Sequence, residues 1–444
     1  MKPVQNSQSD LRLLMLGFGL TGKAVCEFAV DHAIPICVSE HGALTQAQQL
    51  WLKEHDIAFE QSGHTSKLLG QANTLVLSPG IPADLPLFAE AREREIAIIS
   101  EIDLALHFVG ESPVLAVTGT NGKTTTVEVI VKILQTQGYL AWSAGNIGIP
   151  LISLIGEIAS SDVVVLEMSS YQLEQSCGFH PDVGVLLSLS PDHLQRHKTM
   201  KRYADVKGRL FANQVSGDVA VLPRALAGQF DGGQGRRVFY DEDFADLPVG
   251  TQDLLPHEKS NLRAALAACQ ALIQGLDIAS IPMDVVCPIF RLPHRMEVLG
   301  SIDGVTVVND SKSTNAGSTI AALRSVDWPV VLLLGGHSKG AGYEDLAAEI
   351  VTRSVREIIL FGEAASELKE LFSRLSIDFP PVSVVRSMEA AIVRGLLVAQ
   401  SGDVLLLSPA CSSLDAFTDF AERGEAFADQ IRAQSGFDNS QSRT

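Results

Sequence analysis

Short apolar runs that end in glycine-rich or polar turns recur along this chain and limit its possible folds more than any other feature. A run such as 162–167 is long enough for one strand buried on both faces, and amphipathic helical patterns separate the runs. This alternation is typical of helices packed on mostly parallel sheets. Three segments show it, with boundaries near 110–113 and 289–293. The length of 444 residues also fits about three domains at roughly 150 residues each.

The composition excludes several classes of protein. Hydrophobic residues make up 46% and charged residues 19%, which is enough apolar material for packed cores. The net charge is −18, whereas nucleic-acid binding needs a basic face. We therefore expect no nucleic-acid partner. No apolar run approaches the roughly 20 residues of a membrane span, and residues 1–10 lack the apolar segment of a signal peptide. The six cysteines show no CxxC pair, which favours a cytoplasmic protein with reduced thiols.

The strongest chemical motif is a strand, a glycine-rich turn and a helix over 114–125. Glycines at 119 and 122 let backbone N–H groups approach phosphate oxygens, and the helix that follows favours an anion at its N-terminus. Lys123 would neutralise phosphate charge, and the Thr124 hydroxyl would bind Mg²⁺. Val117 stands where the common phosphate-binding loop has its first glycine, so this loop is a shortened relative. An ordinary strand–turn–helix would not need Gly-Lys-Thr-Thr at this point.

Two side chains after later strands are candidate metal ligands. Glu167 ends an apolar run, so it emerges at the carboxyl edge of a sheet, where open α/β sheets bind ligands. His193 follows another strand. Alone, Glu167 could be a solvated cap and His193 a structural histidine; beside a phosphate-binding loop, Glu167 favours a metal site.

Polar turns also follow strands in the first and third segments. Gly17, Gly19 and Gly22 form the dinucleotide-type GxGxxG pattern, and Glu40 ends the next strand. The pattern favours a diphosphate-bearing ligand more than NAD in particular. In the third segment, polar residues at 309–315, 335–339 and 408–415 each follow an apolar strand. Three such turns on one sheet edge predict a second substrate cleft.

Taken together, these motifs resemble the Mur ligases over nearly the whole chain. The similar stretches, in the expected order, are 119–125, 145–148, 166–174, 191–194, 292–297, 309–315, 333–336 and 408–417. The resemblance implies an α/β fold of three domains: a Rossmann-like N-terminal domain, a central ATPase-type domain with the phosphate-binding loop, and a C-terminal Rossmann-like domain. The implied boundaries are 1–110 for UDP-sugar binding, 111–291 for ATP binding and 292–444 for amino-acid binding.

The resemblance also implies an activity. The runs 167–174 and 408–417 are most similar to the members that add D-glutamate to UDP-N-acetylmuramoyl-L-alanine in peptidoglycan precursor synthesis. ATP would phosphorylate the alanyl carboxylate, and the amine of D-glutamate would attack the acyl phosphate. The implied cofactor is Mg²⁺, as two ions, and we expect a monomer that contributes to cell shape and cell division.

Site residues follow from the resemblance, position by position. Lys123, His193 and Lys207 would be catalytic, and Lys207 matches a lysine that the family carries as a carbamate. The implied metal ligands are Thr124, Glu167, His193 and Lys207. The implied ATP contacts are Gly119, Thr120, Asn121, Gly122, Lys123, Thr124, Thr125, Asn261, Arg295, Asp310 and Lys312. The implied UDP-sugar contacts are Leu20, Thr21, Ser78, Gly80, Asn146 and Ser169. The implied D-glutamate contacts are Thr314, Lys339, Ser413, Leu414 and Phe420.

Two departures from the family pattern and several alternatives stay open. His41 and Gly42 stand where many members offer Thr-Arg to UDP, and Glu258 replaces an asparagine before Asn261. Another Mur ligase or a folylpolyglutamate synthase would share the chemistry. A nicotinamide oxidoreductase would leave the phosphate-binding loop unexplained, and a GTP switch would need an Asn-Lys-x-Asp string, which the sequence lacks.

Overall fold

The computed structural model describes residues 10–82, 84–176, 178–230, 232–244, 246–291, 293–338, 342–374 and 379–439. The chain divides into two compact units. Unit 1 comprises Met1–Leu187, Ala204–Val249 and Ser260–Val286, and unit 2 comprises Ser188–Tyr203, Gly250–Lys259 and Cys287–Thr444. Three sheets with helices between their strands confirm the predicted α/β class. The predicted boundaries at 110 and 291 stay predictions.

The first sheet is all parallel, with the strand order β3-β2-β1-β4-β5 of a Rossmann-like domain. Its strands are β1 (Leu13–Leu16), β2 (Ile36–Ser39), β3 (Ala58–Glu60), β4 (Thr74–Leu77) and β5 (Ala97–Ser100). Its helices are α1 (Leu20–Asp31), α2 (Gln46–Glu54), α3 (Leu87–Glu93) and α4 (Glu101–Leu106), with a 3₁₀ turn at Leu69–Gln71. Strands β2 and β3 lie on one side of β1, and β4 and β5 lie on the other side. The strand order therefore switches between β1 and β4, and the turns after these two strands face one crevice.

The second sheet is also all parallel, in the order β11-β10-β9-β6-β8-β7. Its strands are β6 (Val114–Thr118), β7 (Ala141–Gly145), β8 (Val163–Glu167), β9 (Val183–Leu186), β10 (Val219–Leu222) and β11 (Arg236–Phe239). The helices in this part of the sequence are α5 (Lys123–Thr136), α6 (Ser170–Gln175), α7 (Leu194–His197), α8 (Met200–Ala212), α9 (Tyr240–Asp243), α10 (Pro256–Leu272) and α11 (Met283–Val286). All five residues of β6 and of β8 are buried, as expected for central parallel strands.

The third sheet has seven strands in the order β16-β15-β14-β17-β13-β12-β18. They are β12 (Glu297–Ile302), β13 (Val305–Asn309), β14 (Val330–Gly335), β15 (Val355–Phe361), β16 (Val382–Val384), β17 (Val404–Leu407) and β18 (Phe437–Asp438). The helices are α12 (Ala316–Arg324), α13 (Tyr343–Ile350), α14 (Ala365–Arg374), α15 (Met388–Val398) and α16 (Phe420–Arg432). The strands β12 and β18 pair antiparallel at one edge, and this hairpin edge was not predicted from the sequence.

Helix capping explains where the structure departs from the apolar pattern. The apolar pattern predicts a helix through Leu104 to Phe108, whereas helix α4 begins three residues earlier, at Glu101. Ser100 accepts the N–H of Asp103 at 3.1 Å, while the Asp103 carboxylate accepts the Ser100 N–H. This reciprocal cap starts the helix at a polar residue that hydrophobic periodicity does not register.

The structure also tests two expectations from the composition, on membrane spans and on cysteines. None of the helices in the described part of the chain is long and apolar enough to span a membrane. The five cysteines among the described residues are free thiols, and Cys177 lies outside that part of the chain.

Candidate functional site

The phosphate-binding loop joins β6 to α5 and has the backbone that its glycines allow. Gly122 is the residue before α5 and has φ +84°, a left-handed conformation that other residues rarely adopt. A Cβ atom on Gly122 would lie 2.4 Å from Oδ1 of Asn261, so the side chain of Asn261 packs directly against the loop. Lys123 donates from Nζ to the carbonyls of Gly119 at 2.9 Å and Thr120 at 2.8 Å. The amine therefore lies across the loop, bonded to two of its carbonyls.

Glu167 lies beside this loop, as predicted. Strand β8 pairs with β6 in a register that sets Glu167 opposite Val117. Glu167 is 2% exposed, and its Oε1 accepts a hydrogen bond from Nδ2 of Asn146 at 2.7 Å. Its Oε2 is buried and has no hydrogen-bond partner among the described residues. Since an unsatisfied buried carboxylate oxygen is costly, this atom fits a metal ligand better than a solvated cap.

The burial of Lys207 is unusual for its residue type. Lysine on a helix is usually solvated, but the Lys207 side chain on α8 is only 1% exposed. Its Nζ donates to the Gly119 carbonyl at 2.8 Å and approaches the Thr118 hydroxyl at 3.3 Å. The structure therefore brings Lys207, Lys123 and Asn261 to one short loop.

A metal at this place would take few ligands from acidic or imidazole side chains. Among the described residues, no three His, Cys, Asp or Glu side chains are grouped so as to hold a metal ion. Mg²⁺ commonly binds through one or two carboxylates and completes its shell with phosphate oxygens and water. The orphaned oxygen of Glu167 and the half-buried Thr124 at the start of α5 fit that mode of binding.

Ser169 and Asn146 have structural partners close to Glu167. Ser169 caps α6: its hydroxyl accepts the Gln172 N–H at 3.3 Å and donates to the Gln172 amide oxygen at 2.9 Å. Asn146 is held by its bond to Glu167. Contacts of both with a UDP-sugar stay predictions.

The first sheet brings the other predicted UDP contacts together. Ser78 follows β4, and its hydroxyl donates to the Gly17 carbonyl at 3.3 Å after the neighbouring β1. A Cβ atom on Gly22 would lie 2.0 Å from that same carbonyl, which is why the pattern needs its third glycine. Leu20 begins α1 and is 66% exposed, Thr21 is half-buried, and Gly80 is exposed.

The unusual residues after β2 have defined partners. Glu40 accepts the N–H groups of Phe18 at 2.6 Å and Gly42 at 2.8 Å, so it fastens the turn after β1. Burial favours a higher pKa for Glu40, but these bonds outweigh it and hold the pKa below its ordinary value. His64 is half-buried, with Nδ1 2.8 Å from the Ser39 hydroxyl.

The loop that carries His193 belongs to unit 2. His193 has φ +54° and its N–H donates to Oδ1 of Asp192 at 2.9 Å, with its Nε2 3.7 Å from Oδ2. Asp192 is buried and its Oδ2 accepts from Asn315 at 3.3 Å. The imidazole is 31% exposed and lies near this buried acid, beyond hydrogen-bond distance. Metal binding by His193 stays a prediction.

The residue Glu258, which departs from the family pattern, has a structural role. It is 2% exposed, and its Oε2 accepts the N–H of Leu255 just before α10 at 2.8 Å. An acid at this position of the first helical turn stabilises the helix start. Its neighbour His257 has a pKa lowered to about 4 by burial and by the positive charge of Arg295.

Three polar turns meet at the carboxyl edge of the third sheet, as predicted. The turns after β13, β14 and β17 adjoin because these strands neighbour one another in the sheet. His337 and Ser412 exchange backbone hydrogen bonds of 2.8 and 3.0 Å across two of the turns. Asp310 joins the remaining turn, since it accepts the hydroxyls of Ser313 at 2.5 Å and Ser408 at 2.7 Å. Burial raises the pKa of Asp310 to about 6, although hydrogen bonds and Arg295 oppose the shift.

The predicted D-glutamate residues lie along this edge where the structure describes them. Thr314 is half-buried, Ser413 is 2% exposed, and Leu414 is 67% exposed. Phe420 begins α16, and Nζ of Lys312 lies 5.4 Å from its ring centroid. Lys339 lies outside the described residues.

Sequence reasoning missed the residue that ties this edge together. Arg423 is 1% exposed and donates to the Ser311 hydroxyl and carbonyl and to the Cys411 carbonyl. Its position in an amphipathic helix gave no signal, because arginine on a helix is usually solvated.

Protein-family models match three segments of the chain, one in each of the three sheet-containing parts. Family models match residues 12–85 as the MurD N-terminal domain, 117–229 as the Mur ligase middle domain and 294–411 as the glutamate ligase domain of Mur ligases.

Curated relatives and solved structures give the same result. A UDP-N-acetylmuramoylalanine--D-glutamate ligase of Caldanaerobacter subterraneus is 32% identical, with 94% of this chain and 97% of the relative covered. The ligase of the same name from Geotalea uraniireducens is 34% identical, with 95% and 97% covered. A crystal structure of MurF ligase from Thermotoga maritima in complex with ADP shares the fold, with a TM-score of 0.54 and 15% identity over 89% of this chain and 93% of that chain. This chain therefore belongs to the Mur ligase family, among its UDP-N-acetylmuramoylalanine--D-glutamate ligases.

Proposed function

We propose that this protein is an ATP-dependent ligase that joins D-glutamate to UDP-N-acetylmuramoyl-L-alanine and so supplies peptidoglycan precursor. The single observation that carries the proposal is the loop at 119–125 with the buried, unsatisfied oxygen of Glu167 on the adjacent strand. That pair suits ATP phosphates, and the relatives named for this reaction match over 94% and 95% of the chain.

Phosphoryl transfer of this kind needs positioning and charge neutralisation more than a protein nucleophile. The loop N–H groups and the N-terminus of α5 would hold the phosphates, and Lys123 would balance their charge. The γ-phosphoryl group passes from ATP to the alanyl carboxylate, which leaves ADP and an acyl phosphate. The amine of D-glutamate then attacks the carbonyl carbon, loses a proton, and phosphate departs as the amide forms.

Mg²⁺ at Glu167 and Thr124 would supply positive charge for the phosphate oxygens. We propose a second ion near His193 and Lys207, with Lys207 carbamoylated so that it offers oxygen rather than an ammonium group. The burial of Lys207 at the loop supports a role in the site rather than in solvent contact.

The remaining contacts follow the same proposal. Asn261, Arg295, Asp310 and Lys312 would reach the nucleotide, and Thr314, Lys339, Ser413, Leu414 and Phe420 the amino acid. The turn at 17–22 and the turn that contains Ser78 would hold the uridine diphosphate. We propose that the enzyme acts in the cytoplasm, as a monomer, in the pathway that sustains cell shape and division.

A substrate panel tests the function. Phosphate release should require ATP, UDP-N-acetylmuramoyl-L-alanine and D-glutamate together. Release with L-glutamate but not D-glutamate would overturn the specific assignment. Release with meso-diaminopimelate or with a folate substrate would indicate another ligase of the same chemistry.

A further inference from the structure

Arg423 carries a buried positive charge that the proposed chemistry does not use. The residue lies in the first turn of α16 with 1% exposure. Within the described part of the chain its guanidinium donates to the Ser311 hydroxyl at 2.9 Å, the Ser311 carbonyl at 2.8 Å and the Cys411 carbonyl at 3.2 Å, and no carboxylate is a direct partner.

The nearest negative charges act on this guanidinium from beyond hydrogen-bond distance. Burial lowers the pKa of Arg423 to about 10, and Asp415 and Asp310 oppose that shift from a distance, as would the Cys411 thiolate. The group is thus still charged at neutral pH. Among the described residues, only carbonyl and hydroxyl dipoles contact the charge, although arginine in protein interiors is normally paired with an acid.

The guanidinium lies under the three turns that end β13, β14 and β17. Ser311 and Cys411 belong to two of them, and a Cβ atom on Gly336 in the third would lie 3.1 Å from Nη1 of Arg423. These are the turns to which the resemblance assigns the amino-acid substrate. Since Arg423 is almost fully buried, it cannot itself contact that substrate over any large surface.

A buried charge without an acid is expensive, and an apolar side chain of similar volume would hold the turns at lower cost. The charge is accounted for if an anion binds close above it. We propose that Arg423 is a positioning residue whose buried charge, held under the turns by Ser311 and Cys411, makes the site select an amino acid with a side-chain carboxylate over its neutral amide. This inference rests on the proposed function and names the source of its substrate selectivity.

Two variants of the full-length enzyme separate charge from packing. R423Q removes the charge and keeps hydrogen-bonding capacity, while R423K keeps the charge and loses the planar fork. The measurement is the KM for D-glutamate and the inhibition constant of D-glutamine, with the KM for ATP as the reference. For R423Q we expect the D-glutamate KM to rise about tenfold or more, with the D-glutamine constant and the ATP KM within about twofold. For R423K we expect all three to stay within about threefold of wild type.

R356Q is the matched control. Arg356 pairs with Asp403 at the opposite, amino-terminal edge of the same sheet, with two hydrogen bonds to one carboxylate. Loss of this ion pair in R356Q should lower the melting temperature without changing the preference for D-glutamate over D-glutamine.

Three results would overturn the inference. One is a folded R423Q enzyme that keeps the wild-type preference. Another is a folded R423K enzyme that loses the preference tenfold, which decides the matter even if R423Q does not fold. The third is a parallel rise of all three constants in R423Q, which would show a packing role only. If the wild-type enzyme takes a different acidic amino acid, the proposed function fails, and the same preference is measured with that acid and its amide.

Discussion

One oxygen of Glu167 accepts a hydrogen bond from Asn146, and the other is buried with no partner in the described part of the chain. Replacing it with glutamine keeps the bond to Asn146 possible and removes the charge. We expect E167Q to lower the rate of phosphate release about 10²- to 10³-fold, since charge stabilisation at the phosphates is lost. Its melting temperature without Mg²⁺ should equal or exceed that of wild type, because an unsatisfied buried charge disappears.

The control for this prediction is E101Q, which also removes a buried carboxylate from unit 1. E101Q should keep at least half of the wild-type rate. A fully active E167Q enzyme with an unchanged Mg²⁺ requirement would show that Glu167 is structural.

Lys207 gives a second test at a single residue. We expect K207A to lose activity and to regain part of it when a short carboxylate such as formate or acetate is added, because the carboxylate would replace the proposed carbamate oxygens. R209A, two residues further along α8, removes a cation that bonds the Glu174 carbonyl and should gain nothing from the same additives. Equal rates of K207A with and without the carboxylate would count against a carbamate.

The phosphate-binding loop allows a comparison of two glycines with the same backbone. Gly122 and Gly138 both have φ +84°, but a Cβ atom would meet a neighbour within 4 Å only at Gly122, where that neighbour is the Asn261 side chain. Alanine at either position should cost about 1 kcal/mol through backbone strain. Only G122A should also lose ATP binding, by tenfold or more, because the loop and Asn261 must separate. Calorimetric titration with the ATP analogue AMPPNP checks this, and an equal loss in G138A would refute it.

Helix α4 carries a pH-dependent contact. Glu101 accepts the Ile152 N–H at 2.8 Å, and burial raises its pKa to about 7, with Asp103 adding to the shift and the N–H bonds opposing it. Because this pKa lies above the ordinary 4.5, the folded protein binds the extra proton between those values. The stabilisation is fully present below about pH 4.5 and is lost as the pH rises through about 7.

The E101Q variant has no carboxyl group at this position, so this proton uptake is absent from it. The unfolding free energy of wild type minus that of E101Q should therefore fall by about 1–3 kcal/mol from pH 5 to pH 8. Urea unfolding at several pH values measures the difference. A difference that rises with pH would contradict a raised pKa.

The net charge of −18 acts on the whole molecule, and all three substrates of the proposed reaction are anions. At about 10 mM salt the field extends roughly 30 Å and repels them, whereas at about 150 mM it extends roughly 8 Å. Buried cations such as Arg423 are screened much less. We expect kcat/KM for D-glutamate to rise about two- to threefold between these concentrations, with KCl and with tetramethylammonium chloride alike. A fall with salt would show that exposed cations dominate the approach of substrate.

Much of the fold and part of the site could be predicted from the sequence because the signals are local. The apolar pattern predicted central strands such as β8, which lies within the run 162–167. The loop at 119–125 is readable because its glycines permit a backbone that other residues avoid. Glu167 was found because carboxyl ends of parallel strands share an edge. Helix starts and the antiparallel β12 edge were missed, since capping and hairpin pairing depend on a few polar groups rather than on a repeated pattern.

The sequence by itself therefore determined the α/β layers, the phosphate-binding loop and the family. Only the tertiary structure decided which charged side chains are buried and which distant groups they bond. Lys207 reaches a carbonyl 88 positions away, and Arg423 bonds Ser311 across 112 positions. The physical reason is that both are charged residues on amphipathic helices, where the local pattern predicts solvent. Their burial follows from packing between elements far apart in the chain, which no local periodicity records.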